Sequence, residues 1–301
     1  MNNVAMTQAV QKATKPKFHG QKVLKSKVVT HYPENTEREY IRLVNAYMAM
    51  LNKTMGEYLP IIRKAIEGDR AGMRRDDDNS VALIIAQTFM AIQESFAKKA
   101  ETFGIARRIE NIANLNRKLT IREWKRVVNK TLGIDIFEDY YMGEFFRETL
   151  KQWTTTNVDL IKSVPQTAIT DMQNVIVEGY RKGKSNTAIG RDIQKVYGIE
   201  KAKAQFWARD QTAKLNADLT QAQQKDAGVE EYVWSDSGDS RVRKRHAQLN
   251  NTRHKWNEPP VVDASTGRRC HPGQDYNCRC VALPVFNLPG LDLPWEKRAE
   301  Q

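Results

Sequence analysis

Large apolar side chains recur at spacings of three and four along most of this chain, and that period limits its fold more than any other feature. Tyr40, Leu43, Tyr47, Leu51, Met55 and Tyr58 trace one face of a helix. After "RRDDDNS" (74–80), which supplies a turn and cap acceptors, the pattern resumes with Leu83, Ile85, Phe89, Ile92 and Phe96. "LTIREWKRVVNKTLGI" (119–134) reads as a short helix ended near Gly133. The following stretch is helical towards Pro165, with a break expected near Thr154 to Thr156. A further helix ends at Gly183, a suitable C-cap. A short helix capped by Ser185 or Asn186 precedes a long one from Lys201 to about Ala227. These helices need a core, so the aromatic stripes read as packing.

The texture changes after Gly228. "VEEYVWSD" (229–236) is β-branched and aromatic and reads as a strand. "SGDS" is a turn, and "SRVRKRHAQLNN" reads as a helical turn or short helix. Loops with Pro259, Pro260, Gly267, Pro272 and Gly273 follow, and "RCVALPVF" (279–286) alternates as a closing strand. The expected class is α+β, a mainly α-helical N-terminal body with a small loop-rich α+β C-terminal module. Expected boundaries are a flexible basic arm at 1–33, the helical body at 34–227, the module at 228–287 and a tail at 288–301.

The arm is read from charge. Lys12, Lys15, Lys17, Lys22, Lys25 and Lys27 stand in it without one Asp or Glu. They are candidate DNA contacts or contacts to a partner's acidic surface; the alternative is a tail without a role. The whole chain carries +12, with a pI near 9.5, which favours polyanionic partners. No apolar run approaches the roughly 18 residues of a membrane span, and no secretion signal is read at the N-terminus, so a cytosolic setting without membrane is expected.

All three cysteines fall in "RRCHPGQDYNCRC" (268–280). A small loop-rich module buries little core, so a cross-link or a metal would help to hold it. Zinc takes thiolate and imidazole in tetrahedral sets. Cys278 and Cys280 sit two apart, so on an extended strand their side chains point the same way. The preferred ligands are His246, Cys270, Cys278 and Cys280, with His271 or His254 as substitutes. A disulfide from Cys270 to Cys278 or Cys280, and reduced packed thiols, are the alternatives. Asp239, Arg243 and His246, with Asn250, His254 and a metal, also suggest a nuclease of the His–Asn–His type. The spacing is not distinctive, and "GKS" (183–185) lacks the glycine of a phosphate-binding loop.

The ordered set "WARDQTAKLN", "AGVEEYVWSDSGDSRVRKRHAQLNN", "GRRCHPGQDYNCRC" and "VALPVF" resembles the phage Mu protein F-like, or phage head morphogenesis, family of minor head proteins. The resemblance covers about Ile189 to Pro284. It implies a non-enzymatic structural protein of tailed phages and prophages that joins the procapsid in few copies. It further implies association with the portal protein and procapsid or scaffolding proteins, DNA binding, and an influence on packaging or ejection. The setting implied is the phage head, and the host cytoplasm during assembly. His246, Cys278 and Cys280 match the family motif directly, whereas Cys270 is less regular in it. Asn250-Asn251 stands where many relatives have a glycine. The runner-up readings are a metal-dependent nuclease or DNA-processing factor using His246, and a host DNA-binding protein with a zinc knuckle.

Overall fold

The computed structural model describes residues 2–18, 21–72 and 80–295. In chain order the elements are α1 (Asn2–Phe18), β1 (Val23–Lys25), α2 (Glu34–Arg70), α3 (Ser80–Phe103), α4 (Ile105–Leu132), α5 (Glu138–Met142), α6 (Arg147–Arg181) and α7 (Asn186–Asp226). Then come β2 (Glu231–Ser235), α8 (Lys244–Leu249), β3 (Arg253–Lys255), β4 (Val261–Asp263), β5 (Arg268–Arg269) and β6 (Val281–Asn287), closed by a 3-10 turn at Leu288–Gly290. The protein is thus α+β with a helix-rich body, as the periodicity predicts. The turn expected at 74–80 lies almost wholly outside the described residues.

Two compact units divide the chain. One holds Met1–Glu37, Asn111–Trp153 and Arg209–Gln301; the other holds Arg38–Glu110 and Thr154–Ala208. A boundary at 228 does not separate them, because the C-terminal part of α7 belongs with the sheet.

The second unit is helical. Tyr40, Tyr47, Leu51 and Met55 of α2 are buried at the expected spacing, as are Ile85, Phe89, Ile92 and Phe96 of α3. Leu83, expected in the stripe, is exposed. By length and composition α3 could cross a membrane, yet its apolar stripe lies in this core. The Tyr47 ring meets Phe96 and Phe103 at centroid distances of 5.4 and 5.1 Å.

Two helix boundaries differ from expectation. The break at Thr154–Thr156 is absent, and α6 runs through Pro165 to Arg181. A threonine lowers helix propensity by only a few tenths of a kcal/mol, and buried Asn157, bonded to Tyr40 Oη at 2.8 Å, holds the next turn. The two helices expected after Ser185 are one, α7, whose first turn Ser185 does cap: its Oγ accepts from Ala188 N at 3.2 Å.

The first unit is built on a four-stranded sheet, order β1-β6-β2-β3, in which β6 is antiparallel to both neighbours. Its register is set by Leu24 opposite Phe286 and Val233 opposite Leu283. Alternation along β2 sends Tyr232 and Trp234 into one core cluster and Val233 into another, so both faces are buried. The module therefore has more core than its loops suggest.

The flexible arm is corrected. Residues 2–18 form α1 and residues 23–25 the edge strand, and Met6, Val10 and Leu24 are buried. A few apolar residues suffice because Met6 and Val10 share a helix face and Leu24 enters the sheet core, while Lys12, Lys22, Lys25 and Lys27 stay exposed. The tail is corrected likewise: Leu288, Leu291, Leu293 and Trp295 are buried, and Phe137 N donates to Pro294 O at 2.7 Å.

Candidate metal centre

The site lies in the first unit, where α8 meets the start of β6. Arg245 Nε fixes α8 by donating to Val261 O at 2.9 Å, and the chain after it turns back through Asn251, at φ 64°. Asparagine tolerates this left-handed conformation better than most residues with a side chain. Asn251 N then donates to Trp234 O at 2.8 Å, tying α8 to β2.

The opposite wall is the 271–278 loop, laid on α7. Gly273 has φ 86°, and a Cβ there would stand 2.8 Å from Ala217 Cβ, so the close approach needs glycine. Gln274 Nε2 donates to Asp218 Oδ1 at 3.1 Å, and Asn277 N donates to Asp210 Oδ1 at 2.8 Å. Asp210 belongs to "WARDQTAKLN", so the helix motif and the cysteine motif are parts of one junction.

Here His246, Cys278 and Cys280 converge, all buried, with their ligand atoms within 4.8 Å of one another. His246 Nδ1 lies 3.5 Å from Cys278 Sγ and 3.6 Å from Cys280 Sγ. A tetrahedral zinc, with Zn–N about 2.0 Å and Zn–S about 2.3 Å, would place nitrogen and sulfur roughly 3.5 Å apart. The other ring nitrogen, Nε2, lies 3.1 Å from Asp275 Oδ2. A proton on Nε2 donated to this carboxylate leaves the Nδ1 lone pair facing the sulfurs, the usual outer-shell arrangement of a ligating histidine. Asp275 is itself buried and held by Arg268 at 3.1 Å and Arg243 at 3.5 Å. The three side chains could hold a metal ion.

The electrostatics suit that role. Burial opposes a charged His246, but the bond to Cys278 and the charges of Cys278 and Asp275 outweigh it and raise its pKa. The Cys280 thiol, hydrogen-bonded to Cys278, pulls Cys278 down against its burial, and His246 assists. Cys280 is pushed up by the same bond and by burial, so the pair favours one thiolate even without a metal.

The remaining candidates stand apart. Cys270 is not in the group; it packs against the same core, and burial pushes its thiol up to about 12. All three cysteines are free thiols, so neither disulfide is present. His271 Nδ1 is paired with Tyr232 Oη at 2.9 Å, and His254 Nε2 with Thr252 Oγ1 at 2.6 Å. The lysines of the expected arm are placed in part: Lys12 is exposed on α1, and Lys22, Lys25 and Lys27 are exposed around β1. The side chains of Lys15 and Lys17 lie outside the described ones. Sequence reasoning missed Asp210 and Asp275. Asp275 sits within the cysteine motif, but nothing in its spacing announces a partner for His246.

Residues 170–283, from within α6 to β6, match the family model described as phage Mu protein F like protein. Over this part the chain is similar to the Mu protein F-like family. The match contains α7, α8, the 271–278 loop and the whole His–Cys–Cys group. The family is one of structural phage head proteins. A Haemophilus influenzae protein described as uncharacterized is 31% identical over 230 residues, covering 75% of this chain and 49% of its own length. This chain thus spans about half the length of that relative. No solved structure matches.

Proposed function

We propose that this Mu F-like protein is a minor head protein that associates with the portal protein and procapsid during assembly, contacts DNA through basic surface, and affects packaging or ejection. The observation that carries the reading is the family match over 170–283, because it covers the junction of α7 with the cysteine loop as one unit. A net charge of +12 supports contact with packaged DNA, which should weaken steeply with salt. We further read the His246–Cys278–Cys280 group as a zinc clasp with three protein ligands and a fourth position for water or another donor, supported by nitrogen–sulfur spacings of 3.5 and 3.6 Å. It joins α8 to β6, two segments far apart in the chain.

Co-purification with a co-expressed phage portal protein tests the assembly role. Retention of the portal on the tagged chain is expected; no retention, with both proteins folded, overturns it. Nicking of plasmid DNA with Mg²⁺ or Mn²⁺ that is lost in His246→Ala would replace the structural role by a nuclease.

A further inference from the structure

A cavity of about 290 Å³ opens beside the clasp, lined by Arg209, Arg241, Arg243 and Arg279 against only two carboxylates, Glu37 and Asp239. Arg241 pairs with Asp239 at 3.0 Å, Arg279 with Glu37 at 3.4 Å and Arg243 with Asp275 at 3.5 Å, so the four guanidiniums still outnumber the carboxylates beside them and leave a positive field that an anion would offset. Two of them have further contacts that hold them in place. Arg279 lies over the Tyr32 ring at 5.1 Å, with Glu37 no closer than 3.4 Å, and Arg243 Nη2 donates to Tyr276 O at 2.7 Å. Arg209 has no ion pair among the described residues.

A second, independent sign is Asn277. It lines the cavity, its backbone is fixed by Asp210, and its buried Oδ1 lacks a partner. A buried polar atom left unpaired costs about 1–3 kcal/mol. An amide exchanges its oxygen and nitrogen by a half-turn of the side chain, so the same position can carry a donor.

We propose that this cavity is an oxyanion site that takes a phosphate group, as free phosphate or as the phosphodiester of a single nucleic-acid strand. Guanidinium forks match phosphate oxygens in pairs, and arginine rather than lysine supplies all four cations here. The site stands on the arginines and Asn277 and does not require a metal on the clasp, although His246, Cys278 and Cys280 line the same cavity and a metal would add to its positive field.

The test is titration calorimetry of the full chain at low salt, with chelator present, using inorganic phosphate and separately a short oligothymidylate. Arg209→Gln, Arg279→Gln and the exposed control Arg191→Gln are compared, with circular dichroism confirming that each is folded. Saturable binding that falls about 10-fold or more in Arg209→Gln and Arg279→Gln, but is unchanged in Arg191→Gln, is expected for the loss of one charged pair. Competition of phosphate with the oligonucleotide assigns the site to a strand, and binding of phosphate alone assigns it to the free ion. Should Arg279→Gln not fold, Arg209→Gln decides. No saturable binding of either probe, or an equal loss in Arg191→Gln, overturns the proposal. Zinc content, measured separately, tests the clasp, so the two readings fail independently.

Discussion

Asp210 on α7 accepts the backbone N–H of Asn277 at 2.8 Å, joining the helix to the residue that precedes Cys278. Asp210 is buried and is also paired with Lys214 at 2.7 Å, so it bridges a cation and a turn held at φ 47°. Removing the carboxylate leaves a part-buried N–H unpaired. Asp210→Ala should therefore lower stability by about 1.5–3 kcal/mol, read from the denaturation midpoint. An unchanged midpoint would mean that the loop holds its own shape.

For the clasp, about one zinc per chain is expected after purification without chelator, measured by mass spectrometry. Cys278→Ser, Cys280→Ser and His246→Ala should each lose it, whereas Cys270→Ser should keep it, since Cys270 lies outside the ligand group. Zinc lost with Cys270 would bring back the four-ligand set preferred from spacing alone.

The first strand offers a third test. Leu24 is 1% exposed and lies opposite Phe286. Leu24→Ala should cost about 2–5 kcal/mol, with the spread set by how far the sheet can close over the gap. Deleting residues 1–27 should lower the melting temperature markedly, since it also removes Met6 and Val10. A deletion without thermal effect would restore the flexible arm.

A fourth concerns pH. Burial, with the charges of Lys225 and His254, holds His271 down to about 4 in the fold, against about 6.5 for the unfolded chain. Between these values the unfolded chain binds more protons. The stability that depends on neutral His271 is therefore complete above about pH 6.5 and is lost as pH falls towards 4, by up to about 3 kcal/mol. Melting temperature against pH, in wild type minus His271→Gln, should fall over that window; a flat difference would remove His271 as the source.

The helical body was readable because Tyr40, Tyr47, Leu51 and Met55 repeat at a period that only a helix satisfies. His246, Cys278 and Cys280 were readable because their residue types have few other uses at that spacing. Asp210 and Asp275 were not, since an isolated carboxylate looks the same whether it caps a distant loop or faces water. The N-terminal strand was hidden by its brevity: three residues carry no period, and Leu24 gains its role only from Phe286. The break read at Thr154–Thr156 failed because local propensity is weak beside the packing of Trp153 and Asn157.

The pairing of β1 with β6 also bears on how the chain is made. The edge strand is made before its partner, with α2 to α8 between them. Until β6 emerges, β1 has no ladder to join, and the cysteines just before β6 have no finished wall against His246. The helices of the second unit need none of this and can form earlier, from local contacts. The phosphate cavity and the clasp are therefore completed only after those helices have been made, and a chain cut before Cys278 would carry the helices without either.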